Sequence, residues 1–472
     1  MSGLKRERVF QQLLEKKVAT ETRVFSNGLT VSVAPLAVSA FAQIGLFVRA
    51  GSRYEPKLLN GMSHLVEHML FRGSKNYPSS HVLNDAFERL GDGLEGATTR
   101  EYSVYFCEVP PDHMGETLTI LQDVLTQPLF TNLEIEKDLI DEEILEDFDR
   151  DGELKNSEAR SRELLFGDHP LAAPVAGRPG FLARIRTEDV QRFFQEFYQP
   201  DNWVLVASGA VDPELFFAQA EKAFGSIGGS IVGSGAATLG SSARKPQSTV
   251  QAIRVDLDTI QLPSGEIGPR VLHQEKEDAQ VEVFLSFLTE GEKSFDLWTL
   301  RALERLLVDG ISSRLHRVLS DQRGLVYEVE GQIDLYSDVG VFDFSFRTQP
   351  EKLAGAFREL YRELFRIKTD GVPIEELDRV ITRMQREVVS FFESPRAVAH
   401  RLGECLLLGL SDMPDPVRYL AEIEKIDADS IKRLAQKIFI PERSTIVFSG
   451  DLADTDQVLI QRIIDHGLNE SV

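Results

Sequence analysis

The stretch GSIGGSIVGSGAATLGSSARKPQST, residues 225–249, is rich in Gly, Ser and Ala and carries no acidic residue. Nothing in it drives a packed core, so it reads as a flexible linker. It lies near the midpoint of the 472 residues. That placement predicts two halves of similar size, 1–224 and 250–472, and prompts a search for an internal repeat. The first half opens with strand patterns at Thr30–Pro35 and Gln43–Arg49, passes into helix from Gly61 to Phe71, and returns to strand at Ser103–Val109. The second opens at Ala279–Thr289, passes into helix at Asp296–Val308, and returns to strand at Val326–Ile333 and Gly340–Phe346. Each half then runs through long helical stretches to a late strand, Asn202–Gly209 or Ser444–Gly450. The predicted fold class is α+β: two homologous α/β halves, each a sheet flanked by helices, related by internal duplication and joined by the Gly/Ser-rich linker.

Composition narrows the function. Apolar residues make up 42% and charged residues 27%, an ordinary globular balance, and the net charge is −23. Such a surface repels phosphate backbones and anionic lipid, so neither nucleic acid nor a membrane is an expected partner. No run of about 18 apolar residues occurs. The first residues, MSGLKRERVFQQLLEKK, contain no apolar signal core, and Glu7 and Glu15 are out of place in an acid-poor transit peptide. Cys107 and Cys405 stand far apart, the usage of a compartment that keeps thiols reduced. The expected location is the cytoplasm.

Chemistry concentrates in GMSHLVEHMLFRG, residues 61–73. His64 and His68 stand at i and i+4, one turn apart on one helix face, where two imidazoles can share one Zn²⁺. Glu67 sits beside them, placed to take a proton from a water that the metal acidifies. By itself an i, i+4 histidine pair is an ordinary feature of a packed helix. The intervening glutamate is what turns a metal-binding pair into a hydrolytic site. Catalytic zinc wants a third protein ligand, and the acidic helix EIEKDLIDEEILEDFDRD, residues 134–151, offers several. Glu136 and Glu143 are two turns apart on one face, so that Glu143 can complete a His₂Glu set while Glu136 orients a ligand. Spacing alone leaves Glu142 and Glu146 open as well. In the second half, RALERLL (301–307) laid on HLVEHML (64–70) puts Arg301 and Arg305 where the histidines stand. Only one half keeps the metal pair.

HxxEH is the inverted zinc motif, and His64-Leu65-Val66-Glu67-His68 followed by Phe71-Arg72-Gly73-Ser74 resembles the pitrilysin/insulinase metallopeptidases, the mitochondrial processing peptidase among them. The resemblance continues through residues 89–106, 136–144, 166–177, 197–212 and 312–329, nearly the whole chain. It implies a zinc-dependent endopeptidase with His64, His68 and Glu143 as zinc ligands, Glu67 as general base and Glu136 as a supporting carboxylate. It further implies a dimer that closes over a peptide or small unfolded protein, the peptide adding as a strand to a sheet edge. Strand Ser103–Val109 is the expected edge, with Glu95, Ala97, Thr98 and Tyr105 as expected substrate contacts.

Two departures from the family pattern bear on activity. The loop before that strand usually carries an Asn where this chain has Glu95, and a carboxylate only accepts hydrogen bonds where an amide also donates. In the distal half the usual Arg and Tyr pair, which steadies the developing oxyanion from the facing half-shell, is Ser320 and Tyr327. Either the enzyme is weak or uses Arg323 instead, or it pairs with a homologous partner that lacks zinc ligands but carries the Arg and Tyr. The expectation is that heterodimer, the isolated chain binding zinc yet cleaving poorly. The alternative is a non-catalytic peptide-binding or assembly subunit. The acidic helix and Glu95 near the site also predict a preference for basic or neutral peptides.

Overall fold

The computed structural model describes residues 19–37, 39–148, 152–228, 269–276, 278–293 and 296–467. Residues 229–249, most of the predicted linker, lie outside them. The chain forms two compact units: Met1–Glu146, Ala173–Ile253 and Val388–Tyr419 make the first, and Asp147–Ala172, Arg254–Glu387 and Leu420–Val472 the second. No helix among the described residues is long and apolar enough to cross a membrane.

The first unit is built on six strands, β1 (Glu21–Val24), β2 (Thr30–Pro35), β3 (Ala42–Val48), β4 (Glu95–Thr98), β5 (Ser103–Val109) and β6 (Trp203–Gly209), ordered β1-β2-β6-β3-β5-β4. The second holds β7 (Arg270–Gln274), β8 (Val281–Glu290), β9 (Val329–Leu335), β10 (Val339–Thr348) and β11 (Ser444–Ser449), ordered β7-β11-β8-β10-β9. Counted along the chain from β2 and from β7, both sheets read first, fifth, second, fourth, third. In both, the first strand pairs parallel with the fifth and every other pairing is antiparallel. Identical order and direction are what a duplicated unit gives. The central strands β3 and β6 are buried at every residue, as expected of strands covered on both faces, whereas β1 is exposed throughout.

Five helices frame the two sheets and the site: α1 (Met62–Leu70), α2 (Leu133–Asp147), α3 (Ser157–Phe166), α4 (Leu297–Leu307) and α5 (Pro395–Leu408). α1 follows β3 as α4 follows β8. α3 and α5 each pack in the unit built mainly from the other half of the chain. α5 lies on the first sheet, where a Cβ at Gly403 would come within 2.0 Å of the Phe47 ring, so only glycine lets the helix approach β3. His400 stacks on Phe106 with centroids 5.9 Å apart, and Tyr102 donates to Glu404 at 2.6 Å. α3 lies on the second sheet. There the buried Arg162 donates to both oxygens of Asp343, at 3.0 and 2.6 Å, and to Asp334 at 2.7 Å. A guanidinium out of water requires such a bidentate partner. Phe287, Phe342, Phe344 and Phe439 interlock beside that sheet.

The expectation that Ser103–Val109 forms the sheet edge is corrected. β5 lies between β3 and β4, because Glu95–Thr98 pairs with Ser103–Phe106 in full register instead of forming a loop. The edge is β4.

Candidate active site

α1 begins where Gly61 takes a left-handed backbone, φ 95°, against the Ala176 carbonyl, 2.6 Å from where a Cβ would sit. Its first free N–H groups are capped from a distance. The buried Glu55 carboxylate accepts from Gly61 N at 2.8 Å, Ser63 N at 2.6 Å and Asn60 Nδ2 at 3.1 Å. A carboxylate at a helix N-terminus answers both the orphan donors and the dipole. Burial pushes the Glu55 pKa up while these hydrogen bonds oppose the shift. Anchored in this way, α1 presents His64 and His68 with ring centroids 4.5 Å apart.

α2 brings the carboxylates. His68 Nδ1 lies 3.0 Å from Glu136 Oε2, and donation there leaves Nε2 as its basic nitrogen, the arrangement that fixes the tautomer of a metal-ligating histidine. Glu136 is buried and also paired with Arg72. Glu143 is exposed, with Oε2 3.9 Å from His64 Nε2. One ligand atom from each of His64, His68 and Glu143 falls within 4.8 Å of the others, the only such trio of His, Cys, Asp or Glu among the described residues. Geometry thus gathers Glu143 and not Glu142 or Glu146. Two imidazoles and one carboxylate are the donor set of a hydrolytic zinc site with a position left for water. Burial, then the charge of His68, lowers the His64 pKa to about 4, so its ligand form prevails at neutral pH.

Glu67, 8% exposed, lies under the edge strand. Thr98 Oγ1 donates to its Oε2 at 2.6 Å, and a Cβ at Gly96 would come within 2.7 Å of its Oε1. Burial raises its pKa, with the Thr98 hydrogen bond opposing, the direction that suits a general base.

The expected substrate contacts divide. Glu95 and Ala97 are exposed on β4. The Glu95 carboxylate is paired with Arg396 Nη2 at 2.6 Å, while the Arg396 guanidinium lies 4.8 Å over Phe106. Tyr105 is corrected: it is 1% exposed and its hydroxyl lies 2.8 Å from that of Tyr198. An inward-facing residue of a covered strand cannot meet a peptide, so this phenol pair forms the wall behind Glu67. In the second unit Tyr327 is 90% exposed, Ser320 Oγ donates to the Tyr327 carbonyl at 3.2 Å, and Arg323 pairs with Glu359 at 3.1 Å.

Sequence reading missed the roles of Glu55 and Arg72, whose partners are set by tertiary packing and leave no periodic signal. At the position of Glu67, α4 carries Glu304, its pKa raised by burial to about 7. It lines a cavity of about 400 Å³ with Val308, Glu328 and Gln332. At the position of His68, Arg305 donates to Glu387 at 2.8 Å. An arginine–carboxylate pair there stands where the first half has the candidate metal ligand.

Residues 32–176 match the family model described as insulinase, peptidase family M16, and residues 184–384 that described as the peptidase M16 inactive domain. An uncharacterized zinc protease of Streptomyces coelicolor is 25% identical over 435 residues, 91% of this chain and 89% of its own. An uncharacterized zinc protease of Bacillus subtilis, YmxG, is 26% identical over 411 residues, 86% of this chain and 92% of its own. In fold, the crystal structure of a protease from Helicobacter pylori matches with a TM-score of 0.79 at 21% identity, covering 92% of this chain and 100% of that one. The first half of the periplasmic protease PqqL of Escherichia coli matches at 0.72 and 19%, covering 97% and 98%.

Proposed function

The chain belongs to the insulinase family of peptidases, M16, and from that premise we propose that it is a zinc-dependent endopeptidase acting on peptides or small unfolded proteins, as the catalytic subunit of a dimer. The observation that carries the reading is the convergence of His64, His68 and Glu143 beside the buried Glu67.

Those three side chains would hold the metal, with Glu136 orienting His68. Bound there, zinc would supply Lewis-acid polarisation of the scissile carbonyl and of water. Glu67 takes the proton of the attacking water and returns it to the leaving amine, and its burial beneath Gly96 and Thr98 keeps its basicity high. β4, the exposed edge, offers its unpaired main-chain groups to an extended peptide, a mode that tolerates many sequences.

A heterodimer is the form we propose. Ser320 provides no guanidinium, and Arg323 is engaged by Glu359, so the oxyanion contact that accompanies Tyr327 would come from a homologous partner. We propose the cytoplasm as its compartment, in keeping with two buried cysteines.

The test is zinc content and peptide cleavage with and without homologous partner chains, with Glu67→Gln as control. The proposal expects about one zinc per chain in both forms and turnover only in wild type with a partner. Full activity of a purified homodimer would remove the heterodimer. Equal inertness of wild type and variant with every partner would favour a non-catalytic, peptide-binding subunit.

A further inference from the structure

β4 does two things at once. It is the edge of the first sheet, and its exposure alternates, with Glu95 and Ala97 outward and Gly96 and Thr98 turned inward. The inward pair meets both oxygens of the Glu67 carboxylate. Thr98 Oγ1 donates to Oε2 at 2.6 Å, and the bare backbone of Gly96 leaves the space that Oε1 fills, 2.7 Å from where a Cβ would be. A threonine hydroxyl has one proton to give, and of the two acceptors in reach the Glu67 carboxylate at 2.6 Å is nearer and charged, while the Ser103 hydroxyl is a weaker, more distant competitor. Ser103, 3.2 Å away, sends its own hydroxyl proton to the Ala50 carbonyl at 2.8 Å. Strand pairing of Thr98 with Ser103 fixes the threonine in place. The terminal torsion of a glutamate is broad, so without a donor on one oxygen the carboxylate is free to turn.

We propose that Thr98 is the positioning residue of Glu67: it holds one carboxylate oxygen, decides which oxygen is left to receive a proton, and so couples the strand on which a peptide docks to the base that serves it. The role goes beyond a substrate contact and rests on the reading of the chain as a peptidase. Thr98 touches neither water nor peptide in this role. It acts through Glu67.

The test is steady-state cleavage of a fluorogenic peptide by the zinc-loaded full chain, with its partner if one is required, for wild type, Thr98→Val and Thr98→Ser. Valine keeps the shape and removes the donor, whereas serine keeps the donor. The expected result is a fall in kcat of about ten- to a hundredfold for Thr98→Val, the fold-change of a lost hydrogen bond to a charged group. KM should stay within about twofold, zinc content should not change, and Thr98→Ser should recover most of kcat. A kcat for Thr98→Val within about twofold of wild type overturns the proposal. So does a change in KM alone, which marks a peptide contact, and so does an equal loss in both variants or a loss of zinc, which marks packing. A wild type inert at full zinc occupancy with every partner overturns the peptidase reading itself, and this inference with it.

Discussion

Each residue of the site works through a neighbour that holds it. His68 is oriented by Glu136, Glu136 is held by Arg72, and Glu67 is held by Thr98. Glu136→Ala should therefore weaken zinc binding by about ten- to a hundredfold while leaving all three proposed ligands in place, measurable by competition with a chelator. His64 adds a pH signature to the metal-free protein. Its folded pKa of about 4 lies below the ordinary 6.5, so between those values the unfolded chain binds more protons than the folded one. Stability from this group is present above about pH 6.5 and is lost as the pH falls towards 4, up to about 3 kcal/mol. Denaturant titrations of the apo chain at pH 7 and pH 5 should show the loss, and His64→Asn should abolish that part of it. What the sequence shows at this scale is whatever repeats along one helix. His64, Glu67 and His68 are legible because three and four residues make a turn. Glu143 shares a face with Glu136, but spacing leaves Glu142 and Glu146 open beside it, and the Thr98 contact spans 31 residues.

At the scale of elements, α1 depends on a cap supplied from outside the helix. Glu55→Ala would leave the N–H groups of Gly61 and Ser63 buried without acceptors and should cost about 2–4 kcal/mol, read as a lower denaturant midpoint. Gly403→Ala should destabilise by about 1–3 kcal/mol, because the added methyl meets the Phe47 ring and α5 must lift from β3. Strands with an apolar run or alternation, β2, β3, β5, β6, β8, β10 and β11, announce themselves in the sequence. β1 and β4 do not, since ETRV and EGAT are four-residue edge strands with no apolar run or alternation to read. That is why the edge was expected one strand too far inward. The packing of α3 and α5 is equally silent: helical periodicity shows that a helix has an apolar face but not which sheet will cover it.

For the whole molecule, the repeated strand order explains how one chain holds the proposed metal site in one unit and, at the matching position of the other, Glu304 and Arg305. The charge of −23 gains a local meaning through Arg396, which pairs with Glu95 on the edge strand β4. Arg396→Ala should expose that carboxylate and shift cleavage towards basic peptides by a few-fold, about 1 kcal/mol for an exposed pair, measured as kcat/KM on matched acidic and basic peptides. The central claim is hydrolysis by Glu67 at a metal held by His64, His68 and Glu143. Its most direct test is the initial rate of fluorogenic peptide cleavage by wild type and Glu67→Gln at equal, measured zinc content, each with its partner chain. The account predicts turnover in wild type and a loss of about a hundredfold or more in the variant. Equal rates in the two would contradict it.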